Sequence, residues 1–154
     1  MGEKLNEIRA FRMVDGRWGT SGQPLPIQFP ILKDAGFEVV INLALPTSDG
    51  AIAEEGSLVS GNGMAYVHLP VDFKNPRAAD FQAFQRVMDA FGEQKVFVHC
   101  IANFRVSAFI YLYRVLRLGA SQSQAGEDLR AIWEPDELWS RWMESMLSSA
   151  GRKV

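Results

Sequence analysis

A single cysteine in 154 residues, Cys100, leaves no partner for an intrachain disulfide and no thiolate cluster for structural zinc. Two histidines, His68 and His99, do not on their own make a metal site, so neither metal nor cofactor is expected. Charge of neither sign dominates. Sixteen Lys and Arg against 18 Asp and Glu give a net charge of −2, which offers no electrostatic case for nucleic acid. No apolar run approaches about 18 residues and the N-terminus has no secretion-signal pattern, so a cytoplasmic protein without membrane contact is expected. Asn6 stands where a myristoylation signal beginning at Gly2 carries Ser or Thr. Internal repeats, low-complexity tracts and domain linkers are also missing. One domain over 1–154, with its core over about 11–147, is the expected organisation.

Hydrophobic residues make up 47% of the chain and fall into short strand-like runs alternating with helical periodicities. Phe11, Met13 and Trp18 flank Asp15-Gly16, which predicts an edge strand or hairpin. Ser21-Gly22-Gln23-Pro24 reads as a turn before a helix over 26–35 that stops at Gly36. Phe37–Leu45, rich in β-branched residues, predicts a strand covered on both faces. A helix over 51–60, a strand over Met64–Val71 and a helix over 77–91 behind Pro76 follow. Val96–Val98 is a further core strand. Helices are then predicted over 107–118, 121–132 and 135–147, the second with Glu127 and Asp128 exposed. The third carries Leu138, Trp142 and Met146 inward, with Trp139 a further candidate, and 148–154 is expected to fray. This alternation predicts an α/β three-layer sandwich around a mostly parallel sheet of four to five strands.

In such sheets ligands gather beyond the carboxyl ends of the strands. His99 and Cys100 occupy one such end, Asp72 another and Ala44–Thr47 a third. A loop whose N–H groups converge at a helix N-terminus can stabilise a thiolate and cradle an anion. The loop residues Ile101, Ala102, Asn103 and Phe104, with Arg105, are therefore the candidate anion-binding set. Arg105 can clamp two oxygens, Ser107 can donate to the thiolate, and Asp72 can serve as general acid and then base, with Asp80 and Asp49 as its competitors. His99 is expected to orient the loop rather than act as the base. A cysteine ending a buried strand also serves as a small core hydrophobe, the alternative to a reactive role.

The run HCIANFRVSAF resembles the His-Cys-x5-Arg-Ser/Thr signature of the protein tyrosine and dual-specificity phosphatases. Together with TSGQP at 20–24, GFEVVINLAL at 36–45, AYVHLPVDF at 65–73 and VFVHC at 96–100, it is similar to the bacterial tyrosine-phosphatase-like family that includes the domain of unknown function 442 group. The resemblance implies a cysteine-phosphatase fold, Cys100 as phosphocysteine-forming nucleophile, Arg105 as phosphate clamp, Ser107 as thiolate stabiliser and Asp72 as general acid. The implied partner is a phosphorylated small molecule or protein. One position departs from the signature, for Arg105 stands five residues after Cys100, where the phosphatases have six. Asn103 suits a left-handed position usually given to glycine, and Val106 is assigned to the helix face. Two rivals to phosphate-monoester hydrolysis follow from the tighter spacing. One is a rhodanese-like sulfurtransferase working through a Cys100 persulfide, and the other is a phosphate-binding module with weak turnover.

Overall fold

Two short strands, Val39–Asn42 (β3) and Val96–His99 (β5), are buried at every position, as their unbroken apolar runs require. The computed structural model describes residues 2–152 and assembles these strands into a five-stranded sheet. The remaining members are Arg12–Val14 (β1), Trp18–Ser21 (β2) and Ala65–His68 (β4), in the order β1-β2-β5-β3-β4. Only the β1–β2 hairpin is antiparallel, and Asp15 and Gly16 in its turn both take positive φ. The expected mostly parallel sheet is therefore present. The register sets Ser21, His99, Asn42 and His68 in one row across the carboxyl edge.

Alternating side chains of each strand feed two cores. Val39, Ile41, Val96 and Val98 face Ala78–Phe91 (α4), Phe104–Leu116 (α5) and Glu137–Arg152 (α7), through Phe81, Phe84, Phe109, Leu112 and Trp139. Val40 and Phe97 face the opposite layer, where Phe29 and Leu32 of Phe29–Asp34 (α2) meet Val59 of Glu55–Gly61 (α3). Gly19 has a packing reason here, since a Cβ would stand 2.4 Å from the Phe97 ring. Phe109 lies 5.5 Å from the Phe84 ring and 5.6 Å from that of Trp142, an aromatic core beneath the carboxyl edge. No helix among the described residues is long and apolar enough to cross a membrane.

Several boundaries differ from expectation. A five-residue helix, Gly2–Asn6 (α1), precedes β1, in a stretch whose mixed charge carries no periodic signal. Residues 26–28 form a 3-10 turn that leads into α2. β3 and β4 are shorter than their apolar runs, yet Leu69 N and Val71 N still donate to Asn42 O and Leu43 O, both at 2.9 Å. The helix expected over 107–118 begins three residues earlier, with Asn103 at its N-cap position in a left-handed conformation.

In Gln122–Ile132 (α6), Asp128 is not an exposed residue. It accepts from Arg12 Nε at 2.8 Å and from the largely buried Arg114 at 2.6 Å, tying α6 to β1 and α5. The start of α7 at Glu137 turns Trp139 fully inward, and Trp142 and Met146 pack against the core as expected, whereas Leu138 is 44% exposed and leaves the expected stripe. Residues 148–152 continue α7, while 153 and 154 lie outside the described residues.

Candidate active site

Beyond His99 the chain leaves β5, makes a tight loop from Cys100 to Asn103 and enters α5. Asn103 adopts φ 69° and ψ 8°, the left-handed geometry that Asn tolerates better than most residues. Its buried side chain reaches away from the loop, donating to Ala10 O at 2.9 Å and Thr20 Oγ1 at 3.1 Å. The loop is thereby pinned to the hairpin. From below it is held by the end of β2, where Cys100 N donates to Ser21 O at 3.3 Å and Gln23 N to Ile101 O at 3.0 Å. Gly22 passes so close that a Cβ there would stand 2.2 Å from Ile101 O. The Ser21–Pro24 stretch is thus a backbone wedge under the cysteine loop as well as a turn. Glycine at its second position is a steric requirement.

On the other side the loop opens into a cavity of about 560 Å³ lined by Phe104 and Arg105 of the first turn of α5, and the N-terminus of a helix carries positive potential. Cys100, Arg105, Asp72, Asp49, Phe73 and Phe104 are among its lining residues. Arg105 is 6% exposed and donates from Nη1 to Val71 O at 2.9 Å, while its guanidinium lies 5.9 Å from the Phe73 ring. A buried guanidinium fixed at one nitrogen keeps its remaining donors for a ligand. Starting α5 at Phe104 puts Arg105 in the first helical turn. That start is how an arginine only five positions after Cys100 still shares its cavity.

The expected site residues do not all arrive there. Cys100, Ile101, Ala102, Phe104, Arg105 and Asp72 line the cavity; His99, Asn103 and Ser107 do not. Ser107 Oγ donates to Phe104 O at 3.1 Å and accepts from Trp133 Nε1 at 3.0 Å, so its proton is used within α5 rather than on the thiol. Trp133 also stacks on Phe104 at 4.3 Å, with the rings 3° from parallel. Asp72 is exposed and its Oδ1 accepts from Lys74 N at 3.0 Å. Of its two competitors, Asp49 shares the cavity, whereas Asp80 pairs with Arg77 at the start of α4.

Behind the loop lies a polar chain. His99, fully buried, sets Nδ1 at 2.9 Å from Cys100 O and Nε2 at 2.5 Å from Glu55 Oε2. Gln23 Nε2 donates to the other Glu55 oxygen at 2.7 Å. Tyr66 stands at the edge of this group, accepting from Asn42 Nδ2 at 3.0 Å. Burial pushes its hydroxyl up to about 12, the Asn42 hydrogen bond opposing and the charge of Glu55 adding to the rise. Glu55 carries no sequence signal, and Gln23 stands out only as part of the TSGQP block at 20–24. Glu55 follows Glu54 in an ordinary helix start, and nothing local tells which of the two turns inward.

No family model matches the sequence. A DUF442 protein from Shewanella putrefaciens, described as a candidate phosphatase, is 36% identical over 97% of this chain and 99% of that one, with a TM-score of 0.87. A beta-lactamase hydrolase-like protein of Agrobacterium fabrum is 33% identical over 107 residues. That match takes in 67% of this chain and 24% of the relative, so the chain spans about a quarter of the length of that curated protein. The kinase associated phosphatase, at 15% identity over 87% of each chain, shares the fold with a TM-score of 0.75. On this near full-length likeness in sequence and structure, the chain belongs to the DUF442 family, whose fold is that of the tyrosine and dual-specificity phosphatases.

Proposed function

We propose that the chain is a phosphatase that hydrolyses a phosphate monoester, on a small molecule or a protein, through a phosphocysteine intermediate on Cys100. The observation that carries this reading is one cavity shared by Cys100 and a buried, backbone-anchored Arg105 at the N-terminus of α5. In the first step the Cys100 thiolate attacks phosphorus in line, the S–P bond forms and the ester P–O bond breaks. The loop N–H groups and Arg105 neutralise the charge on the equatorial oxygens. Asp72, in its acid form, protonates the departing alkoxide. Its carboxylate then takes a proton from water, which attacks phosphorus, breaks the S–P bond and returns the thiolate with free phosphate.

Wild type is expected to hydrolyse a generic aryl phosphate between about pH 5 and 8, and Cys100→Ser to lose that activity. Equal rates for the two proteins would end the reading. Sulfur transfer is a second reading, favoured by the four-residue spacing between Cys100 and Arg105 and by a Ser107 hydroxyl turned to Phe104 O rather than to the thiol. It predicts that the Cys100 thiolate takes the outer sulfur of thiosulfate as that ion's S–S bond breaks and sulfite leaves, so that intact mass shows one added sulfur. An unchanged mass rejects it.

A further inference from the structure

We propose that Glu55 is a positioning residue for Cys100: its carboxylate holds His99 in the doubly protonated form, so that an imidazolium lies directly behind the thiol loop. The inference rests on the reading of Cys100 as the reacting group and deepens it. Its starting point is proton accounting. A carbonyl oxygen only accepts, so the 2.9 Å contact to Cys100 O requires a proton on His99 Nδ1. The 2.5 Å contact between Nε2 and Glu55 Oε2 requires one proton between them. Ring and carboxyl therefore hold two protons together, either as imidazolium and carboxylate or as neutral imidazole and carboxylic acid.

The surroundings select the first. Gln23 Nε2 donates to Glu55 Oε1 at 2.7 Å and to Pro24 O at 3.1 Å, two acceptors that fix which end of the amide is nitrogen. A donated N–H stabilises the carboxylate over the acid. The pair is 0% and 2% exposed on its two sides, so water screens it little. It is a dipole with its positive end against the Cys100 carbonyl and its negative end one ring further back.

The other titratable groups facing this assembly come from four segments. Tyr66 of β4 stands beside Glu55, with its proton held by burial and then by that charge, and His68, at the β4 end of the same row, sets Nε2 at 2.7 Å from Ala44 O. Arg105 from α5, Asp72 and Lys74 from the segment after β4, and Asp49 from that after β3 face Cys100 across the cavity. From β2 and β3 the same row receives only Ser21 and Asn42. A change at Glu55 leaves the cavity-side charges in place, which isolates the contribution from behind the loop.

Glu55→Gln separates charge from shape, because its amide can still donate to His99 Nε2 while the ring becomes neutral and keeps Nδ1–H on Cys100 O. With one cysteine in the chain, alkylation by iodoacetamide reports on Cys100 alone. Glu55→Gln is expected to slow alkylation about tenfold at about pH 6 and to change it less than twofold at about pH 9, where the thiolate forms without help. In the wild type, nitrogen NMR of the imidazoles, with His68→Gln to assign the two rings, should show both His99 nitrogens protonated at about pH 7. A folded Glu55→Gln protein with the wild-type alkylation profile overturns the proposal. So does a singly protonated His99 in the wild type, a result that stands even if the variant does not fold. Neither readout needs turnover, so an inactive protein with these two results would remove the phosphatase reading and leave the role of Glu55 intact.

Discussion

Replacing Gly22 by alanine tests whether the cysteine loop is held from beneath. An added methyl would stand 2.2 Å from Ile101 O, 3.0 Å from Ile101 C and 3.2 Å from Ala102 Cα, all backbone atoms of the loop itself. No flexible side-chain end is available to yield. Restoring ordinary contact moves the Ile101 carbonyl by about 1 Å, and a misplacement of that size costs about 100-fold in rate. The same oxygen accepts from Gln23 N, so the wedge loosens as well. Overpacking of this kind costs about 1–3 kcal/mol, which lowers a urea midpoint by roughly 1 M. Gly61→Ala is the control, since nothing lies within 4 Å of its Cβ and the backbone there is helical. It is expected to be neutral or to stabilise by up to about 1 kcal/mol. The measurements are urea unfolding and aryl-phosphate turnover on both variants. Gly22→Ala with wild-type midpoint and wild-type turnover would refute the wedge.

Two further outcomes follow from the charged and phenolic groups. Arg105→Lys keeps the charge but loses the planar fork and the bond to Val71 O, so inhibition by inorganic phosphate should weaken about 10- to 100-fold, and the carbonyl left without its donor should lower the melting temperature by a few degrees. Tyr113 donates to Asp89 Oδ1 at 2.6 Å; burial first, then that bond, pushes the phenol up to about 12. Because the folded state holds this proton above the ordinary phenolic value of about 10, its stabilisation is complete below about pH 10 and lost as pH rises toward about 12. Asp89 moves the opposite way, held down by the Tyr113 hydroxyl and then by Arg117, so its stabilisation is lost as pH falls through the acid range. Tyr113→Phe should therefore flatten the urea midpoint against pH at both ends; an unchanged curve would contradict the pairing.

Much of this architecture was legible because buried parallel strands write themselves as unbroken apolar runs, and Val39–Asn42 and Val96–His99 do so. The strand-loop-helix around Cys100 is legible from His99-Cys100 followed by a helix. What escaped were properties set by partners remote in sequence. Leu138 and Trp139 are both plausible on an inward stripe, and only where α7 starts decides between them. Asp128 reads as a surface residue until Arg12 and Arg114 arrive from other elements. Ser107 stands in signature register, yet Trp133, 26 positions away, takes its oxygen as an acceptor. The arginine spacing looked like a conflict because a loop of phosphatase length was the reference. Beginning α5 at Phe104 brings Arg105 to the cavity from the first helical turn, a placement that the spacing alone does not give.

The proposed hydrolysis passes through a covalent phosphoryl group on Cys100. Mass analysis of the Cys100 peptide after rapid quenching of a reaction with an aryl phosphate tests it most directly. One phosphoryl group on Cys100 is expected in the wild type during turnover and none in Cys100→Ser. Substrate consumed by the wild type with Cys100 unmodified at every quench time, and with equal turnover by Cys100→Ser, would contradict it.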